Sequence, residues 1–148
     1  MMKSSMLLLS VLFLSAFSCQ DELAQKDVPE PVVAGLAATF PEASQVEWEK
    51  EGDNYEAEFM LNSLEHEALL NASGSVLKYK HELAVPDLPE AVAAAIQQHY
   101  PDRQISDPEK LHQEDQMYYQ VELENESEEI KLVFAENGQE QKEAVYWD

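Results

Sequence analysis

Apolar side chains recur at helical spacing in two places. Val32, Val33, Leu36 and Phe40 fall on one face of a segment that starts at Pro29-Glu30. Val92, Ala93, Ile96 and Tyr100 do the same in a segment that starts at Pro89-Glu90. A proline in the first turn loses nothing, because that amide has no helical partner, and the glutamate beside it suits the positive end of the helix dipole. Pro41 and Pro101 end both segments, since the residue before a proline is driven out of the helical region. After each helix the period drops to two. Val46-Glu-Trp-Glu49 and Tyr55-Glu-Ala-Glu-Phe59 alternate, and residues 67–71 and 76–81 flank the turn Ala72-Ser-Gly-Ser75. Farther on, strands are predicted near 109–113, 118–124, 129–135 and 139–147, with turns at Gln113-Glu-Asp-Gln116, Asn125-Glu-Ser127 and Glu136-Asn-Gly138.

The two halves are copies. Residues 28–42 lie over 88–102 at a constant offset of 60, with Pro29/Pro89, Glu30/Glu90, Val32/Val92, Ala34/Ala94 and Pro41/Pro101 identical. Tyr55-Glu-Ala-Glu-Phe59 matches Tyr119-Gln-Val-Glu-Leu123 at an offset of 64, so the second copy is about four residues longer between helix and strand. The predicted class is α+β: two tandem repeats, 28–84 and 85–148, each one short helix followed by a four-stranded antiparallel meander, with the helices on one sheet face. Alternation puts Tyr55, Ala57, Phe59, Tyr119, Val121, Leu123, Ile130, Leu132 and Phe134 under the helices. It puts Glu56, Glu58, Glu67, Glu122 and Glu124 on the opposite face, with Lys78, Lys80, Lys131 and Lys142 as cross-strand partners.

The first 18 residues carry one cation, Lys3, then an apolar run from Met6 to Phe17 and a small residue, the layout of a bacterial secretory signal. The run is about a dozen residues, short of the roughly 20 needed to cross a bilayer. The single cysteine, Cys19, follows it, and Ala16-Phe17-Ser18-Cys19 resembles a lipobox, with Ala16 where that motif prefers Leu. Cys19 is therefore the expected lipidation site, and residues 19–27 the expected acidic tether, its acids resembling a surface-export signal. One cysteine excludes an intrachain disulfide and a cysteine zinc site. The 148 residues hold 30 acids against 9 bases, a net charge of −21. Removing 1–18 discards Lys3 and no acid, which leaves −22. Such a surface repels phosphate, so nucleic acid is not a partner. The expected location is the cell envelope, periplasmic or at the outer-membrane surface, with the membrane reached through the lipid anchor only.

The repeated order of Leu/Val-Pro-Glu, a short helix, Tyr/Phe-Pro, a strand around Tyr-x-Val-x-Leu and a closing Asn-Gly turn resembles the PepSY-like domain of beta-lactamase-inhibitor-like proteins. These are small secreted or lipid-anchored proteins of Bacteroidota-type bacteria. The resemblance covers about residues 28–147, twice, and implies a helix-plus-sheet tandem repeat, its two sheets either separate or joined side by side into a curved surface. It brings no catalytic residues to carry over.

Catalytic chemistry has little to stand on. There is no Gly-x-Ser-x-Gly, and Gly35, Gly52, Gly74 and Gly138 are too far apart for a phosphate loop. His66, His81, His99 and His112 show no metal-ligand spacing, and the acidic loops 49–54 and 124–129 do not fit an EF-hand, so no metal or cofactor is expected. The expected function is non-enzymatic: an envelope module that binds an unidentified envelope protein or peptide on the acidic sheet face through Trp48, Glu56, Glu58, Tyr118, Glu122 and Glu124. Trp48, Tyr118 and Trp147 serve as aromatic anchors only if exposed there; the other reading of these rings is core or rim packing between the two repeats. The alternative is a calcium-responsive structural or accessory lipoprotein.

Overall fold

The computed structural model describes residues 21–148, so the predicted signal and Cys19 lie outside the described residues. The elements are β1 (Asp21–Leu23), α1 (Glu30–Thr39), β2 (Ser44–Glu51), β3 (Asn54–Leu61), β4 (Leu64–Leu70), β5 (Val76–Glu82), α2 (Glu90–His99), β6 (Gln104–Gln113), β7 (Gln116–Glu124) and β8 (Glu129–Ala135). All eight strands form one antiparallel sheet in chain order. No helix among the described residues is long and apolar enough to cross a membrane.

This corrects the expected architecture of two helix-plus-four-strand repeats. Strands β5 and β6 pair from Lys78↔Gln113 to Glu82↔Glu109, so the halves share a single sheet. Left apart, each would present an edge of unpaired N–H and C=O groups, and joining them removes both edges. The expected fourth strand at 139–147 is also absent. After the turn beyond β8 only Glu140 bridges back, to Phe134. At the other end, residues 21–23 of the stretch read as a tether pair with β2, Leu23 opposite Trp48. Strand β6 starts earlier than expected because Pro108 does not break it. The Pro108 carbonyl accepts the Leu83 N–H at 2.8 Å, just past the end of β5, so the N–H that proline lacks faces a place where the ladder has already ended.

Both helices are ten residues long, shorter than the ~12–15 an isolated helix needs in water, so packing on the sheet holds them. Pro29 and Pro89 cap their N-termini, and Phe40 and Tyr100 close them just before Pro41 and Pro101. Val32 and Leu36 of α1 pack with Phe40, Trp48, Ala57, Phe59, Ala68 and Leu70; Val92 and Ile96 of α2 pack with Tyr119, Val121, Leu123 and Phe134. The predicted inward-facing residues are all among these clusters or packed against them.

The β4–β5 turn touches α1 backbone to backbone. Asn71 Oδ1 accepts the N–H groups of Ser73 and Ser75, both at 3.0 Å, and turns the chain at Gly74, whose φ is +86°. A Cβ on Gly74 would stand 2.0 Å from the Pro31 carbonyl oxygen, and one on Gly35 would stand 1.9 Å from that of Gly74. Gly52 also has a positive φ, +58°, but nothing lies within 4 Å of its missing Cβ. Gly74→Ala is expected to cost more than about 2 kcal/mol, the left-handed penalty plus a backbone clash, whereas Gly52→Ala costs about 1 kcal/mol. Thermal melts of the two variants check this: a larger drop for Gly52→Ala would contradict it.

Candidate functional site: the open sheet face

The helices cover one face of the sheet and leave the other open. Register places Glu58, Glu67, Lys80, Leu111 and Tyr118 in one row across the open face. Beside it Glu56, Leu69 and Lys78 form a second row, and Glu82, Glu109, Gln120 and Val133 a third. Asp107, Glu122 and Lys131 form a fourth.

The segment after β8 returns over these rows and lays Trp147 onto them. Trp147 is 5% exposed and packs with Leu69 and Leu111, against Tyr118, in a small apolar patch separate from both helix-side clusters. Gln120, which has no exposed surface, brackets its peptide group. The Gln120 Oε1 accepts the Trp147 N–H at 2.9 Å, and the Gln120 Nε2 donates to the Trp147 carbonyl at 2.9 Å and to Glu109 at 2.8 Å. The Lys80 ammonium donates to the same carbonyl at 3.0 Å, and the indole Nε1 donates to Glu56 at 3.2 Å. Lys78 lies 4.0 Å from the centre of the indole ring, a cation–π contact. Lys131 pairs with Glu122 at 3.2 Å and with Asp148. Tyr146, with its hydroxyl buried, and Asp148 border a cleft of about 270 Å³ lined by Glu65, Glu67, Asp107, Glu109 and Glu122.

Burial, with charge crowding behind it, sets the protonation of this face. Lys80 is 4% exposed and stands 3.2 Å from both Glu67 and Glu109. Burial disfavours its charge, but the two carboxylates outweigh that and hold its pKa above the usual lysine value. Each acid has only a share of one ammonium, so burial leads and both carboxyls sit above their usual range. Glu56 is pushed up to about 7, first by burial and then by Glu67 and Glu51. Glu58 also reaches about 7, first through a hydrogen bond shared with Glu65 and then through partial burial. Burial, followed by Glu109 and Glu122, drives the Tyr146 hydroxyl well above the tyrosine range.

The structure sorts the expected site residues. Glu56, Glu58, Tyr118 and Glu122 lie on the open face, and Glu56 touches Trp147. Glu124 shares the face by alternation but sits at the far end of β7, opposite Gln104 and Glu129. Trp48 is on the other side, 2% exposed in the cluster under α1, so it is no anchor on the open face. Sequence reasoning missed Gln120, Glu109 and Leu111. Gln120 carried a faint signal, a polar residue inside the apolar run of β7. His66 and His81 face each other across β4 and β5 on the helix side, ring centres 4.9 Å apart. Among the described residues no group of three or more histidines, cysteines or acids is arranged to hold a metal ion.

The family model described as "Putative beta-lactamase-inhibitor-like, PepSY-like" matches residues 18–78 and again 55–142. The chain belongs to this family. The two matches overlap over residues 55–78. Solved structures with the same fold come from Bacteroides. One of "putative periplasmic proteins" from Bacteroides eggerthii has a TM-score of 0.73 at 15% identity, covering 78% of this chain and 86% of that one. A DUF2874 family protein from Bacteroides uniformis gives 0.72 at 19%, covering 76% and 85%. A BLIP-like protein from Bacteroides fragilis gives 0.69 at 25%, covering 76% and 83%. No curated protein matches the chain.

Two measurements probe the electrostatics of this PepSY-like sheet. Lys80→Met strands Glu67 and Glu109 and is expected to cost about 3 kcal/mol at pH 8, less at pH 5 where acids take up protons, as read from denaturant melts. A carboxyl with a pKa of about 7 when folded and 4.5 when unfolded binds its proton more tightly in the fold. Its contribution to stability is therefore full below pH 4.5 and lost as the pH rises through 7. His81 acts in the opposite sense, because burial and then His66 hold it near 4 against 6.5 unfolded, so its contribution is lost as the pH falls. It cancels when variant and parent are compared. Glu56→Gln, which keeps an acceptor for the indole, is expected to raise stability relative to the parent by roughly 1 kcal/mol more at pH 8 than at pH 5. A difference that does not change with pH would refute the raised pKa.

Proposed function

We propose that the chain is a non-enzymatic module of the cell envelope, lipid-anchored through Cys19, that binds a protein or peptide partner on the open face of its sheet. One observation carries this reading: the face left bare by the helices already holds another piece of the chain, gripping Trp147 by its backbone N–H and carbonyl and by its indole. Main-chain hydrogen bonds combined with a seat for one large side chain are the ordinary means of peptide recognition. The family description supports an inhibitor-like role, and a partner enzyme of the periplasm or outer surface is one form it takes. The carboxylates of Glu56, Glu58 and Glu122 rim the seat, with Glu124 at the edge of the same face, and favour a partner with basic groups at its periphery.

The test is capture from solubilised envelope of the native host. The chain from Asp21 onward serves as bait beside a variant with Glu56, Glu58, Glu122 and Glu124 changed to Gln. A partner held by the parent and reduced about tenfold by the variant is expected, with no loss on adding a chelator. Equal capture by both baits would sink the reading. Loss with chelator, together with a calcium-dependent rise in melting temperature, would replace it with the calcium-responsive alternative.

A further inference from the structure

We infer that the slot holding Trp147 is a peptide-binding site for an extended segment of a partner protein that carries a tryptophan followed by an acidic residue, and that Tyr146-Trp147-Asp148 occupies it as an intramolecular stand-in. The inference deepens the proposed function and rests on it.

Four observations lead to it. First, the groups that grip the segment are those that recognise any extended peptide: both polar ends of the Gln120 amide pair with the N–H and carbonyl of residue 147, and Lys80 adds a second donor to the carbonyl. Specificity comes from the indole, which donates to Glu56 and lies under Lys78. Second, the lysines of the face converge on this segment, Lys78 on the ring, Lys80 on the backbone and Lys131 on Asp148. Although the face is acidic at its rim, its centre is therefore built for a ligand with an aromatic ring and a carboxylate. Third, the segment hangs on an exposed arm: residues 142–145 are exposed, Val145 by 87%, and the segment forms no strand. Fourth, Trp147 belongs to a patch separate from the two clusters that hold the helices, so vacating the slot leaves both intact. A tethered segment of this kind competes with an outside ligand of the same chemistry at a high effective concentration.

The experiment uses the chain from Asp21 onward, as parent and as Trp147→Ala, with a fluorescein-labelled peptide of residues 142–148 as probe. Fluorescence polarisation is expected to show binding to Trp147→Ala at least about tenfold tighter than to the parent. A peptide with alanine in place of tryptophan, or an acceptor that also carries Gln120→Ala, is expected to lose about tenfold or more. Peptide and chain are both net negative, so raising the salt should not weaken the complex, unlike capture by charge alone. Equal binding to parent and variant, or to both peptides, overturns the inference.

Hydrogen exchange on the unmodified parent gives an answer that does not depend on the variant folding. The Trp147 amide is expected to exchange at least about tenfold faster than the amides of β7, through local opening. Equal protection makes Trp147 an ordinary core residue and overturns the inference as well. Failure here with successful envelope capture leaves the acidic rim as the binding surface. Peptide binding with no envelope capture leaves the slot standing and removes the envelope role.

Discussion

The ladder between β5 and β6 is the joint on which everything else hangs. It sets Glu82 opposite Glu109 and Lys80 opposite Leu111, and so carries residues of one half onto the rows of the other. Glu56, Glu67, Lys78 and Lys80 come from strands before α2, whereas Glu109, Gln120 and Trp147 come after it. Without that pairing Lys80 has Glu67 but not Glu109, and the Trp147 carbonyl loses one of its two donors. The seat on the open face is a property of the joined sheet and of neither half alone.

A sheet covered on one side must do something with the other. Antiparallel sheets commonly leave that side wet and polar, and most of this one follows the rule with glutamates. Its centre does not. There a lysine 4% exposed, a fully buried glutamine and a buried glutamate surround a tryptophan. Buried polar groups are tolerated when each finds a partner, and here the partners are supplied by one another and by residue 147. Burial, followed by the nearby Glu67 and Glu51, makes Glu56 hold its proton to about pH 7, and a hydrogen bond shared with Glu65, followed by partial burial, does the same for Glu58. Part of the chain's negative charge is therefore neutralised on this face. The open face thus carries proton-bearing carboxyls beside convergent lysines.

Much of the fold was legible in the sequence. The two helices begin and end where Pro29, Pro41, Pro89 and Pro101 place them, and the strands of the first half fall within a few residues of their alternating runs. These features are local: a proline acts on its own turn, and a period of two acts on its own strand. The site was legible only in part. Alternation identified Glu56, Glu58, Tyr118 and Glu122 as sharing one face; Trp48, a candidate anchor only if exposed there, turns its ring to α1 instead. Residues 139–147 also read as a strand; the ladder ends instead at Glu140, and Trp147 lies across the open face against Leu69, Lys80, Leu111 and Gln120.

The sequence by itself determined where each helix starts and stops, which side chains face it, how acidic the surface is and that two related segments build the chain. The tertiary structure decided how those segments meet, which way the segment after β8 runs and what surrounds Lys80. The reason is the range of the forces. Propensity, capping and alternation act over a few residues and leave a record in the local pattern. The β5–β6 pairing and the seating of Trp147 beside Glu56, 91 positions away, depend on edges and faces that exist only once the strands have come together.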